Sequence, residues 1–233
     1  MWRMILGGAI GLTLAGCGGD AAPTQAVESE TQRADAGDPL PVMGPERRIL
    51  AFGDSLFAGY NVDNDESYPA QLQNALRARG VNATVTNAGV SGDTTAAGRQ
   101  RLGFVLDGQA QKPELVILEL GGNDLLRQIS PAETRANLAA MLDELRERKI
   151  PVLLMGLRAP PNNGVEYQNA FDAIYADLAQ EYGARLVPFF LEPVYDQPQL
   201  IQNDRVHPTA EGIGELVKFT VEDVAGALPD PQG

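Results

Sequence analysis

The sequence predicts an α/β fold, a five-stranded parallel sheet with helices on both faces. Short apolar runs alternate with amphipathic stretches from residue 47 onward, the pattern of repeated strand–helix units. The run Leu115-Val116-Ile117-Leu118-Glu119-Leu120 is apolar almost throughout, as a strand covered on both faces should be. The segments between such runs carry helix start and stop signals.

Taken in order, Ile49-Leu50-Ala51-Phe52 is the first strand. Residues 67–79 form a helix with Leu72, Ala75 and Leu76 on one face, and Gly80 ends it. Residues 81–86 are the second strand and residues 115–120 the third. Ser130-Pro131-Ala132-Glu133 is a capping box with proline at the first helical position, opening a helix to about Lys149. Residues 151–157 make the fourth strand. Residues 165–182 are helical, closed by Gly183, and residues 185–190 are the fifth strand. A final helix runs from about Pro208 to Ala227. The domain is expected over residues 47–228, with a short tail at 229–233.

The residues before it read differently. MWRMILGGAIGLTLAGC carries one early basic residue, Arg3, then an apolar run and Leu14-Ala15-Gly16-Cys17. A short apolar core ending in small residues is a secretory signal, too short for a membrane span. Its last four residues resemble the bacterial lipobox, in which the cysteine is lipidated. Residues 18–46 lack aromatic residues and hydrophobic periodicity and are rich in Ala, Pro, Gly, Asp and Glu, so they are expected to form a flexible tether.

Composition removes several function classes. Cys17 is the only cysteine and His207 the only histidine, so neither an intramolecular disulfide nor a Cys/His zinc site can be assembled. No Asp-rich calcium-type loop appears either. The net charge is −13, and one unit more negative once Arg3 leaves with the signal. Such a chain repels phosphate backbones and anionic lipid surfaces. No nucleic acid is expected as a partner, and membrane attachment is expected through the acyl chains on Cys17 alone.

The chemistry-bearing residues gather where a parallel sheet binds its ligands, outside the carboxyl ends of its strands. Ser55, in AFGDSLFAGY, follows strand one; Gly89 follows strand two; Asn123 follows strand three; the segment from Asp204 to His207 follows strand five. Ser55 is not in a lipase-type G-x-S-x-G elbow, because Phe57 stands where the second glycine belongs. A serine hydroxyl needs a base to take its proton, and His207 is the one histidine available. In NDRVHP, Asp204 can reach back to the imidazole Nδ1 hydrogen, and Pro208 stiffens the exit. Attack on a carbonyl also needs donors for an oxyanion. The Gly89 N–H in NAGVSGDTT, the Asn123 amide in ELGGND and the Ser55 N–H are the candidates. Each has a plainer reading: a helix cap for Ser55, a turn glycine for Gly89, a turn-capping amide for Asn123 and a surface histidine for His207.

GDS at 53–55, the glycine at 89, G-x-N-D around 121–124 and D-x-x-H at 204–207 resemble, in order, the motifs of the SGNH, or GDSL, hydrolases. The likeness extends through LELGGNDLLR, the segment at 157–160, EYQNAFDAIYADLA and VPFFLEPVY, so that nearly all of residues 48–223 resembles the bacterial thioesterase I, lysophospholipase and arylesterase branch. The resemblance implies a flavodoxin-like, three-layer α/β/α fold with strand order 2-1-3-4-5. It implies Ser55 as nucleophile, Asp204 and His207 as acid and base, and Gly89 and Asn123 beside Ser55 as oxyanion donors. The activity it implies is hydrolysis of carboxylic esters through an acyl-enzyme, without cofactor or metal. Leu125, Leu126 and Pro160 are expected to wall an acyl-chain site. A carbohydrate O-deacetylase on the same triad, or a silent ligand-binding lipoprotein, are the alternatives. Members of this branch often occur as soluble periplasmic enzymes; the lipobox and tether depart from that pattern. With Gly18 rather than aspartate after the cysteine, an outer-membrane anchor facing the periplasm is expected.

Overall fold

The computed structural model describes residues 42–230; the signal segment, Cys17 and the tether up to residue 41 lie outside the described residues, as do residues 231–233. Five strands, β1 (Arg47–Gly53), β2 (Ala83–Gly89), β3 (Leu115–Leu118), β4 (Val152–Met155) and β5 (Arg185–Val187), form one sheet in the order β2-β1-β3-β4-β5. Every neighbouring pair is parallel, the arrangement expected from the sequence. The helices are α1 (Ser55–Ala58), α2 (Tyr68–Ala78), α3 (Thr95–Asp107), α4 (Gly122–Leu126), α5 (Pro131–Glu147), α6 (Val165–Tyr182), α7 (Glu192–Tyr195) and α8 (Ala210–Ala227).

Alternation along each strand divides the core in two. Ile49 and Ala51 of β1 pair with Leu115 and Ile117 of β3 and share a face with Leu153 and Met155. That face is covered by α2 and α8 through Leu72, Leu76, Leu216 and Val221. Leu50, Phe52, Val116, Leu118 and Leu154 point the other way, against Leu102 of α3, Leu142 of α5 and Leu178 of α6. Each such side chain, taken fully out of water, contributes about 1.5–3 kcal/mol. This double burial explains why the strands read as continuous apolar runs.

Three strands are shorter than their apolar runs. After Met155 the Gly156 N–H bonds to Val187 O, and Phe190 N–H returns to Gly156 O, so both chains turn out of the ladder together. Pro188 lacks the N–H that would continue β5. β3 stops at Leu118, and Leu120 leads into Gly121, whose φ of 125° takes the chain toward α4.

Helix α3 has no counterpart in the sequence expectations. Its residues, TAAGRQRLGFVLD, include two glycines, Gly98 and Gly103, that interrupt its apolar positions. Gly98 packs tightly against the residues at the ends of β1 and β3: a Cβ there would fall 2.3 Å from Leu120 Cδ1 and 3.4 Å from the Phe52 ring. The glycine that weakens the helical pattern is thus what lets the helix pack.

Candidate active site

β1 ends at Gly53, and the next residue, Asp54, caps α1 by accepting the Leu56 N–H at 3.0 Å. Ser55 is therefore the first residue of a short helix that springs from an interior strand of the sheet, and its N–H has no intrahelical partner. Arg101 steadies this turn. Its guanidinium donates to Gly53 O at 2.9 Å, pairs with Asp93 at 2.6 Å and lies 3.9 Å from the centre of the Phe52 ring.

From the far end of the chain, His207 Nε2 comes to 2.8 Å from Ser55 Oγ, and Nδ1 to 2.7 Å from Asp204 Oδ2. Asp204 Oδ1 accepts the backbone N–H groups of Val206 and His207 at 2.9 and 3.0 Å. Burial works against the Asp204 charge, but the His207 ring and those two N–H groups outweigh it and hold the carboxyl at about 2. An ionised Asp204 takes the Nδ1 hydrogen, which leaves the Nε2 lone pair facing the serine hydroxyl.

The loop that presents this pair is tied from behind. Gln202 Nε2 donates to Tyr60 O and Pro208 O at 2.9 and 2.8 Å, and its backbone N–H to His207 O at 2.8 Å. The Tyr60 ring lies 4.3 Å from the imidazole, centre to centre. Neither residue stands out in the sequence, because their role depends on a contact across 142 positions. Arg205, between the acid and the base, takes a left-handed φ of 63°, an uncommon backbone for a side chain of its size.

Asn123 sits at the start of α4 and donates one amide N–H to Asp54 Oδ2 at 3.0 Å. A primary amide carries a second N–H, and Asn123 lines the same cavity as Ser55 and His207. Its neighbour Asp124 is buried and turned away, accepting the Thr95 N–H at 2.8 Å and the Thr134 hydroxyl at 3.2 Å, which fastens α4 to α3 and α5.

Gly89 is not where the sequence expectation put it. Its N–H is spent on Asn87 Oδ1 at 2.9 Å, and it lies outside the lining of the cavity. The need for glycine there is steric, because a Cβ would sit 2.3 Å from Ala58 N and 2.7 Å from Phe57 C. The glycine of this loop that lines the cavity is Gly92. It is the third residue of the turn closed by Asp93 N–H to Val90 O, and its φ of 87° is the value that position needs in a type II turn. The four letters V-S-G-D after the strand were the available signal.

The cavity holds about 470 Å³. Leu125, Leu126 and Pro160 all line it, with Leu157, Phe189 and Val194 among the other apolar walls and Arg158 and Arg205 as its cationic side chains. A wider hollow of about 640 Å³ is lined in part by Asp204, but it includes neither Ser55 nor His207.

Known proteins share this arrangement of chain. The structure of AlinE4, described as an esterase of the SGNH-hydrolase family, is 66% identical, covers 80% of this chain and 99% of its own, and superposes with a TM-score of 0.69. An arylesterase of Vibrio mimicus is 38% identical over 181 residues, 78% of this chain and 90% of its own. The thioesterase 1/protease 1/lysophospholipase L1 of Escherichia coli is 40% identical over 163 residues, 70% of this chain and 76% of its own. The sequence model of the GDSL-like Lipase/Acylhydrolase family matches residues 51–213, well over half of the 233 residues, and the chain belongs to that family.

Proposed function

We propose that the chain is a serine esterase that hydrolyses carboxylic esters with an apolar acyl or aryl portion through an acyl-enzyme on Ser55. The observation that carries this reading is the unbroken line from Ser55 Oγ to His207 Nε2 at 2.8 Å and from Nδ1 to Asp204 at 2.7 Å. As Oγ bonds to the carbonyl carbon, its proton passes to Nε2 and the carbonyl electron pair moves onto oxygen. Asp204 stabilises the imidazolium that forms. The oxyanion is met by the Ser55 N–H, the free N–H of the Asn123 amide and the Gly92 N–H, the last taking the place expected of Gly89. Return of the electron pair breaks the bond to the leaving group, which takes the proton from Nε2. Water then repeats the cycle and frees the acid.

The leucine-rich cavity favours an acyl chain over a glycan, and relatives described as arylesterase and lysophospholipase point to aryl esters and lysophospholipids as its substrates. The test is turnover of phenyl acetate and of a long-chain lysophospholipid by the full chain in detergent, beside Ser55→Ala. Serine-dependent turnover of either supports the reading, and the ratio of the two separates arylesterase from lysophospholipase. Equal turnover by Ser55→Ala means another nucleophile, and none by either protein favours a deacetylase or a binding protein.

Attachment to the cell envelope through acylated Cys17, facing the periplasm and on the outer membrane, is supported by the Leu14-Ala15-Gly16-Cys17 run and Gly18. Cys17→Ser should move the protein out of the detergent phase; unchanged partition overturns the anchor.

A further inference from the structure

Glu119, just after β3, is fully buried, and among the described residues it makes no ion pair. A carboxylate in such a place is costly unless something neutralises it. Its Oε2 accepts the Asp54 backbone N–H at 3.3 Å, while its Oε1 has no conventional donor. A second carboxyl shares the site: the Asp54 side chain interacts with that of Glu119, whose Oε2 already holds the Asp54 N–H. Gly53 keeps the space open, since a Cβ there would fall 2.9 Å from Oε2.

Two carboxyls in one dry site cannot both ionise, so the pair holds a proton. The surroundings place it. Asp54 has donors for its charge, the Leu56 N–H on Oδ1 and the Asn123 amide on Oδ2, with His207 beyond. The Tyr175 hydroxyl of α6, which feels the Glu119 charge, donates to Leu120 O, and the Arg101 guanidinium of α3 is committed to Asp93 and Gly53 O. Neither gives a charged Glu119 a hydrogen bond. Burial first, and then the Asp54 charge, pushes the Glu119 carboxyl well above the ordinary range.

We propose that Glu119 is a positioning residue, a neutral acid that keeps its proton and donates it in a hydrogen bond to the Asp54 carboxylate, thereby locking that carboxylate onto both the Leu56 N–H and the Asn123 amide. The nucleophile turn and the side-chain oxyanion donor are then held as one unit from beneath by a group that never touches substrate. This inference rests on the esterase reading for its kinetic consequence but not for its thermodynamic one.

The experiment compares Glu119→Gln and Glu119→Ala with the parent in the full chain. Glutamine keeps one acceptor for the Asp54 N–H and one donor for the Asp54 carboxylate but cannot ionise. With phenyl acetate at neutral pH, Glu119→Gln should restore kcat to within about threefold of the parent. Glu119→Ala should lose about 10–100-fold in kcat with little change in KM, the size seen when a supporting hydrogen bond is removed. Urea unfolding gives the second readout. A group whose folded pKa is raised keeps its proton when folded and loses it on unfolding above the ordinary value of 4.5. Parent stability is therefore lost as pH rises from there toward the folded value, by about tenfold in the unfolding constant per pH unit. Glu119→Gln lacks this dependence, so its advantage over the parent should widen with pH from 4.5 upward. A gap that does not widen overturns the shared proton, and Glu119→Gln as slow as Glu119→Ala overturns the positioning role. If neither parent nor variants turn over ester, the esterase reading fails while the unfolding arm still decides the proton.

Discussion

Asn123 and Asp54 are joined by a 3.0 Å hydrogen bond between side chains that are 69 positions apart in the chain. Asp54 caps the helix that carries the nucleophile, and Asn123 offers the cavity an amide, so this one contact fixes the spacing between the attacking atom and a donor for the charge that attack creates. Electrostatic stabilisation depends on donors that do not reorganise during the reaction, and a bond to a buried carboxylate supplies that rigidity.

Asn123→Ala should therefore lower kcat by about 10²–10³-fold on phenyl acetate with KM little changed. Asp54→Ala should also lower kcat, through loss of the same orientation. Because the two act as a unit, the double variant should cost clearly less than the product of the single losses. An effect confined to KM, or strict additivity in a double-mutant cycle, contradicts the coupling.

Asp204 gives a prediction with a definite sign. Its folded carboxyl is held at about 2, below the ordinary value of 3.8. A depressed value means stability that is present above pH 3.8 and is lost as pH falls toward 2. In urea unfolding, the difference between the parent and Asp204→Asn should be flat above about pH 5 and shrink as the solution is acidified. The same variant should lose kcat by about 10⁴-fold, since asparagine favours the wrong imidazole tautomer. A stability gap that persists unchanged to pH 2 contradicts the assignment.

The glycine that ends β2 and the one in the turn after it should separate by assay. Gly89→Ala drives a methyl into the α1 backbone, which cannot move aside as a flexible side chain would, and should cost about 1–3 kcal/mol in urea unfolding. Gly92→Ala meets nothing closer than the Arg127 guanidinium at 3.7 Å, so its cost is the left-handed backbone, about 1–2 kcal/mol. Its larger effect should be on kcat, because relaxing φ re-aims the Gly92 N–H. If Gly92→Ala leaves kcat of the folded protein intact, the third oxyanion donor lies elsewhere.

These glycines also mark where sequence reading stops. Ser55, Asn123, Asp204 and His207 could be found because each comes after a strand, and parallel strands deliver their trailing loops to one edge of the sheet. The strands themselves were readable from their apolar runs, while their order in the sheet followed from the family resemblance. Gly89 ends β2 and Gly92 lies in the turn just after it; V-S-G-D marks that turn, but no letter says that the Asn87 side chain takes the Gly89 N–H. Helix α3 escaped because close packing against Leu120 required the glycine that dilutes its pattern. Glu119 sits inside an apolar run and reads as a polar interruption until Asp54 is placed against it.

The acyl wall yields the last prediction. Leu126 lines the cavity yet leaves 63% of its surface exposed, so filling the cavity with an acyl chain would cover apolar surface now in water. Each methylene buried is worth about 0.8 kcal/mol, and truncating a half-open leucine removes roughly one such contact. Leu126→Ala should then raise KM for a long-chain lysophospholipid by about 3–10-fold. An acetyl group is too short to gain from this wall, so KM and kcat for phenyl acetate should hold. Leu126 neighbours Asn123 on the same short helix, which makes the phenyl acetate control decisive: a fall in its kcat means that α4 has shifted, whereas a KM change restricted to the long chain assigns the wall. Equal KM for both substrates in parent and variant would place the acyl chain against other residues of the cavity.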